Sequence, residues 1–136
     1  MKDQFPGFQA CMRMMRKHDA MTAEDGFQWL LSRADQFVDE LLAELHNPAN
    51  EQASLGFWLL ELLAEAKSPK LFPLFLEWLY GPDSLLRSGA LLGLSKLDTK
   101  EARRALWEAQ SHALPDAKEN EQFHQELGRF IEHRAP

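Results

Sequence analysis

The sequence of 136 residues predicts an all-helical protein. Residue types that favour strands are scarce, since Val38 is the only valine and Ile131 the only isoleucine. Apolar residues instead recur at spacings of three and four, in segments bounded by turn or capping residues. A chain of this length is the size of one ordinary domain, so we expect a single domain over residues 1–136.

Four helices are predicted in the first half of the chain. The first covers about 8–17, and the second begins with Thr22 as its N-cap. The third covers about 34–45. Pro48, which cannot continue a helix interior, separates it from a fourth helix over about 50–66.

Four more helices are predicted in the second half. Pro69 stands in the first turn of a fifth helix that ends near Tyr80. The sixth contains the stretch LLRSGALLGLSKL, residues 85–97. The seventh covers about 100–113, and the last follows Pro115. Eight helices joined by short turns predict four antiparallel pairs.

The sequence contains an internal repeat. At a shift of 35 positions, leucines of the fourth helix fall on apolar residues of the sixth, with Leu55, Leu59 and Leu62 matching Ala90, Leu94 and Leu97. Both copies run helix, turn, helix in step. A period of this length is typical of stacked helical repeats, in which each helix pair buries its apolar face against its neighbours.

Residues 83–106, DSLLRSGALLGLSKLDTKEARRAL, resemble a repeat of the HEAT-like family. The positions that carry the resemblance are Asp83, Leu86 with Arg87, Ala90, Gly93 with Leu94, and Asp98. The resemblance implies a small right-handed α-α superhelix of about four helix pairs. It also implies that Arg87 pairs with a turn carboxylate, Asp83 or Asp98.

The small residues of the sixth helix, among them Gly89 and Gly93, predict a close approach between neighbouring helix pairs. The positions of this helix expected to be exposed are Ser84, Ser88, Leu91 and Ser95.

The fifth helix, LFPLFLEWLY, is apolar nearly all round. This pattern predicts either the most buried helix or one that faces a partner.

Charge is distributed unevenly along the chain. Between Asp19 and Glu65 there are ten carboxylates and one cation, Arg33, a net charge of −9 in a chain whose total is −6. Such a block repels nucleic acid phosphates and attracts a basic surface. The other interpretation of the block is a solvated helix face without a partner.

The predicted partner-binding residues lie on the third and fourth helices. The third contributes Asp35, Asp39, Glu40 and Glu44, and the fourth contributes Glu51, Trp58, Glu61 and Glu65. On the fourth helix these residues fall at spacings of three and four, opposite the leucines at 55, 59 and 62. A tryptophan flanked by carboxylates suits a hot spot for a basic partner. Alternatively, the ring of Trp58 fills the space that Gly93 leaves in the next repeat.

Motifs for catalysis or cofactor binding are absent from the sequence. There is no phosphate-cradling glycine loop, no G-x-S-x-G elbow and no H-E-x-x-H pair. Cys11 is the only cysteine, which rules out an intramolecular disulfide and a four-cysteine zinc site. We therefore expect no enzymatic activity, no cofactor and no bound metal. No apolar run approaches the length of a membrane span, so we expect a cytoplasmic protein.

Together these features predict a protein-binding module that engages a basic protein through its acidic surface, as a monomer without nucleic acid or membrane partners. By analogy with compact, acidic HEAT-like proteins, one such role is that of an immunity or antitoxin protein that neutralises a toxin domain. Two alternatives stay open at this point. One is an assembly module that self-associates through Phe72 and Phe75 of the fifth helix, and the other is an accessory resembling the HEAT-like lyases that handle chromophores.

Overall fold

A computed structural model of the chain describes residues 4–50 and 53–131. Within these ranges the regular elements are all helical, which confirms the all-α class. The chain divides into two compact units, residues 1–66 and 67–136, and each is described by itself. The superhelical arrangement of four pairs and the single domain stay predictions.

The first unit contains helices α1 to α4. Their bounds are α1 Phe8–Met15, α2 Ala20–Leu31, α3 Val38–Leu45 and α4 Ala53–Glu65. Short 3-10 turns at Ala34–Gln36 and Pro48–Asn50 precede α3 and α4. Helix α1 packs on α2, and α4 packs on both α2 and α3.

Helices α1 and α2 bury matching stripes against each other. In each helix the buried positions follow the spacing i, i+3, i+4 and i+7; they are Phe8, Cys11, Met12 and Met15 in α1, and Ala23, Gly26, Phe27 and Leu30 in α2. Gly26 allows this pair to approach closely. A Cβ at this position would lie 2.7 Å from the carbonyl oxygen of Cys11 and 2.8 Å from Cβ of Met14.

Two boundaries in the first unit differ from the sequence prediction. The N-cap of α2 is Asp19, whose carboxylate accepts a hydrogen bond from the Thr22 backbone N–H, so the prediction of Thr22 as the cap is wrong. Thr22 instead lies in the first turn. The predicted third helix is interrupted at Phe37, since residues 34–36 form a 3-10 turn before α3 begins.

The second unit contains helices α5 to α8. Their bounds are α5 Phe72–Leu79, α6 Ser84–Leu97, α7 Lys100–Ala109 and α8 Ala117–Ile131. A 3-10 turn at Pro69–Leu71 leads into α5. Helix α6 packs against α5, α7 and α8, and is therefore the central helix of this unit.

Helix α6 begins and ends at aspartates. The Asp83 carboxylate caps its start by accepting hydrogen bonds from the backbone N–H groups of Leu85 and Leu86. Asp98 ends it with a left-handed φ of 51°, and Arg103 donates to the Asp98 carbonyl at 2.6 Å. Thr99 then caps α7 by accepting from the Ala102 N–H. The predicted seventh helix ends earlier than expected, at Ala109.

Gly93 of α6 leaves space for an aromatic ring of α5. Ring atoms of Phe75 lie 2.4 to 2.7 Å from the place that a Cβ on Gly93 would occupy. Phe75 itself is buried, at 1% exposure. The ring in this space therefore belongs to Phe75, whereas the sequence-based interpretation placed Trp58 there.

Candidate partner-binding surface

The predicted carboxylates around α3 differ in their accessibility. Asp35, Asp39 and Glu40 are exposed. Glu44 is not, since only 12% of its side chain is accessible. Three of these four residues are therefore placed where a partner could reach them.

Glu44 belongs to an internal network of the first unit. Its carboxylate accepts from the Arg16 guanidinium at 2.6 Å and from the Asn50 amide at 2.7 Å. Arg16 also donates to the Asn50 side-chain oxygen at 2.9 Å, and Asn50 donates to the backbone carbonyl of Glu44. The network joins the end of α1 to the end of α3, so Glu44 stabilises the fold instead of facing outward. The sequence pattern missed this because Arg16 lies 28 residues away.

Arg33, the only cation between residues 19 and 65, is held by aromatic rings. Its guanidinium carbon lies 4.6 Å from the ring centroid of Phe5 and 5.0 Å from that of Trp29. It also donates to the Trp29 carbonyl at 3.2 Å. These contacts fix the position of the guanidinium against its own helix and the two aromatic rings.

Three of the predicted residues on α4 lie within the described part of the chain. Trp58, Glu61 and Glu65 are half-buried, while the leucines at 55, 59 and 62 are fully buried. The two sets lie on neighbouring faces of the helix, since Trp58 and Leu62 are four residues apart. Glu51 lies outside the described residues. Trp58 stacks on Phe27 of α2 with ring centroids 5.0 Å apart. A large part of its ring therefore contributes to the packing of α2 on α4.

Phe57, next to Trp58, is an exposed aromatic that the sequence prediction missed. It is 54% exposed and lies one helical turn before Glu61. Adjacent residues on a helix point about 100° apart. The position of Phe27 decides which of the two rings is covered, and no local pattern reveals that position.

The remaining sequence predictions concern the second unit. Leu91 and Ser95 are buried, so the expectation that they are exposed is wrong, because α6 is covered by helices on several sides. Arg87 is also buried. It donates to the Gly81 carbonyl at 2.7 Å and lies 3.4 Å from the Glu119 carboxylate. Its carboxylate partner is therefore on α8, and the predicted pairing with Asp83 or Asp98 is wrong.

Helix α5 buries one face, but Pro73 and Glu77 are exposed and a larger share of α6 is buried, so the interpretation of α5 as the most buried helix is wrong. Phe75, Trp78 and Leu79 are each at most 6% exposed, and Leu71 just before the helix is 1% exposed. Phe72 is half-buried. Phe75 therefore belongs to the interior of the second unit.

Chemically reactive groups are few in the described part of the chain. Burial raises the pKa of the Cys11 thiol, and the charge of Arg33 opposes this effect only in part. The thiol is fully buried and is therefore a poor nucleophile. No group of three His, Cys, Asp or Glu side chains in the described residues is arranged to hold a metal ion.

Burial also raises the pKa of Tyr80, and the charge of Glu108 adds to the effect. The Tyr80 ring stacks on His112 with centroids 3.9 Å apart. His112 in turn offers its carbonyl to the His124 ring at 2.7 Å. These contacts tie the loops around α5 and α7 to α8.

Comparisons of the chain with protein-family models, with curated proteins and with solved structures gave no match. The HEAT-like resemblance thus rests on residues 83–106 and stays a prediction. No helix in residues 4–50 and 53–131 combines the length and the apolar character that a membrane span requires.

Proposed function

We propose that the protein is a protein-binding module that engages a basic protein partner through its first unit. The acidic surface that we assign to this role comprises Asp35, Asp39, Glu40, Glu61 and Glu65. The single observation that carries the proposal is the charge of residues 19–65, ten carboxylates against one cation.

Electrostatic attraction of this kind accelerates encounter with a positively charged partner and weakens as salt is raised. At physiological ionic strength charges interact over about 8 Å, so carboxylates within that distance of one another would act together on one partner surface. The same field disfavours nucleic acids. Neutralisation of a basic toxin domain, as immunity and antitoxin proteins perform it, is one role that fits this chemistry.

The test compares two triple charge reversals in the full chain. The first, Asp35→Lys with Glu40→Lys and Glu61→Lys, changes the acidic surface. The control, Glu77→Lys with Glu101→Lys and Glu121→Lys, changes three exposed carboxylates in the second unit, whereas the first set contains two exposed carboxylates and the half-buried Glu61. Each immobilised protein is used to capture partners from a lysate of its native cell, which are then eluted with a salt gradient.

We expect a basic protein that elutes at moderate salt from the wild type and from the control, and that the acidic-surface variant does not retain. Mass spectrometry identifies the protein, and its isoelectric point is then calculated from its sequence. Equal retention by both triple variants contradicts the proposal, as does a captured partner that is itself acidic. Far-UV circular dichroism establishes that each variant is folded.

Self-association through Phe72 and Phe75, the alternative role, has less support. Phe75 is 1% exposed and packs over Gly93, so its ring contributes to the interior of the second unit. A polar residue at this position would perturb folding before it could report on a dimer.

A further inference from the structure

Phe57 is the most exposed aromatic side chain among the described residues, at 54%. It lies on the same face of α4 as two carboxylates, with Glu61 one turn and Glu65 two turns further along the helix. Trp107 of α7 is exposed to a similar extent, at 45%, but has different neighbours. There Arg104 and Glu108 pair with each other at 3.1 Å.

An apolar ring beside carboxylates fits a partner that offers both apolar and positively charged groups. A second copy of this chain fits poorly. A two-fold contact through this face would pair two copies of α4, each of which contains the carboxylates of Glu61 and Glu65 and no Lys or Arg. Like charges brought together in this way oppose association. Charge complementarity therefore selects a basic occupant.

We propose that Phe57 is the apolar anchor of the acidic surface, an inference that rests on the proposed function. It receives an aliphatic side chain from a basic segment of the partner. Two Lys or Arg residues of that segment, one and two helical turns from the aliphatic residue, meet the carboxylates of Glu61 and Glu65. The ring contributes affinity through apolar burial, while the carboxylates contribute attraction that depends on salt.

Two synthetic peptides test the inference. Both are alanine-based helices of about 18 residues, a length at which such helices form in water. The first has Leu at one position with Lys four and eight residues later, and the second has Ser in place of that Leu. Binding of each labelled peptide to the full chain is measured by fluorescence anisotropy at low and at moderate salt.

We expect the Leu peptide to bind the wild type about five- to tenfold more tightly than the Ser peptide, as burial of the accessible part of the ring implies. The variant Phe57→Ser should remove this difference, and Phe57→Leu should keep most of it. The matched control Trp107→Ser should leave it unchanged. Because Phe57 is half exposed, Phe57→Ser is expected to remain folded, which its urea midpoint will establish.

The variant Glu61→Gln separates the two proposals. It should weaken both peptides by the same factor and reduce the salt dependence of their binding. An unchanged ratio between the peptides in Phe57→Ser overturns the role of Phe57, while the proposed function stands if Glu61→Gln still weakens both. Failure of both peptides to bind, or binding that Glu61→Gln does not alter, overturns both proposals.

Discussion

Residues 1–66 contain five Lys or Arg against eleven Asp or Glu, whereas residues 67–136 contain ten of each. The first unit thus carries the whole net charge of −6, and the second is neutral. The cations of the two units are also used differently. In the first, Arg16 joins two helices through Glu44 and Asn50, and Arg33 lies against aromatic rings.

In the second unit, surface cations lie beside surface carboxylates. Arg103 is 3.3 Å from Asp98, and Arg104 is 3.1 Å from Glu108 on the next turn. Local pairs of this kind contribute little to stability, but they cancel the field that a distant partner would sense. The comparison indicates that sign and position of charge, more than helix packing, distinguish the two units.

Each unit contains one glycine at a close contact between helices, Gly26 in the first and Gly93 in the second. Substitution of these glycines should have the largest effect on stability. Gly26→Ala would place a methyl group against the Cys11 carbonyl, and Gly93→Ala would place one 2.4 to 2.7 Å from atoms at the edge of the Phe75 ring. We expect each to lower the free energy of unfolding by about 2–3 kcal/mol, measured by urea denaturation.

Gly128→Ala is the control for both substitutions. Nothing lies within 4 Å of the Cβ it would add to α8, so this variant should gain up to about 1 kcal/mol through helix propensity. If Gly26→Ala and Gly93→Ala were as stable as Gly128→Ala, close approach at these glycines would not be what holds either helix pair.

Arg87 in the second unit and Arg16 in the first allow a second comparison, because their side chains differ in exposure. Arg87→Met removes the donor to the Gly81 carbonyl from a site only 5% exposed, and should cost about 2 kcal/mol. Arg16→Met leaves the Asn50 oxygen without its donor, but the Arg16 side chain is 34% exposed and water can replace it. A cost of about 1 kcal/mol is expected here. Chemical denaturation measures both, and a larger loss for Arg16→Met would contradict the difference in burial.

The helix caps give the smallest expected effect, and it depends on pH. The hydroxyl and backbone N–H of Thr22 donate to Asp19 and hold the pKa of that carboxyl below its usual value. A lowered folded-state pKa stabilises the fold above the unfolded-state pKa of about 4, and the contribution is lost as pH falls through the folded value. Asp19→Asn keeps a capping oxygen without the titration. The stability difference between wild type and Asp19→Asn should therefore shrink between about pH 5 and pH 3.

Thr99, the cap of α7 in the second unit, does not titrate. Thr99→Ala should cost about 1 kcal/mol at both pH values. Urea midpoints at the two pH values measure both caps. A difference for Asp19→Asn that is the same at pH 3 and pH 5 would show that the carboxylate charge does not contribute to the cap.

Several features that depend on residues close in sequence were predictable, although the N-cap of α2 was not, since Asp19 and not Thr22 occupies it. The sixth helix was predicted around residues 85–97, and α6 spans Ser84–Leu97, with Asp83 as its N-cap and Asp98 at its end. Features that depend on distant residues were not. The network around Glu44 requires Arg16, and Arg87 finds Glu119 32 positions further along the chain. Which of Phe57 and Trp58 is covered depends on Phe27 in another helix. The acidic segment could be recognised from composition, but its accessible part could not.

The contact between Phe75 and Gly93 also constrains how the sequence can change over evolutionary time. The ring occupies the space of any side chain at position 93, so the two positions can vary only together. A homologue with a smaller residue at 75 would tolerate Ala or Ser at 93, whereas one that keeps Phe at 75 would keep Gly at 93. Position 128 has open space around it and should accept many residue types. Because positions 75 and 93 depend on each other, this pair can serve as a marker when distant relatives are aligned.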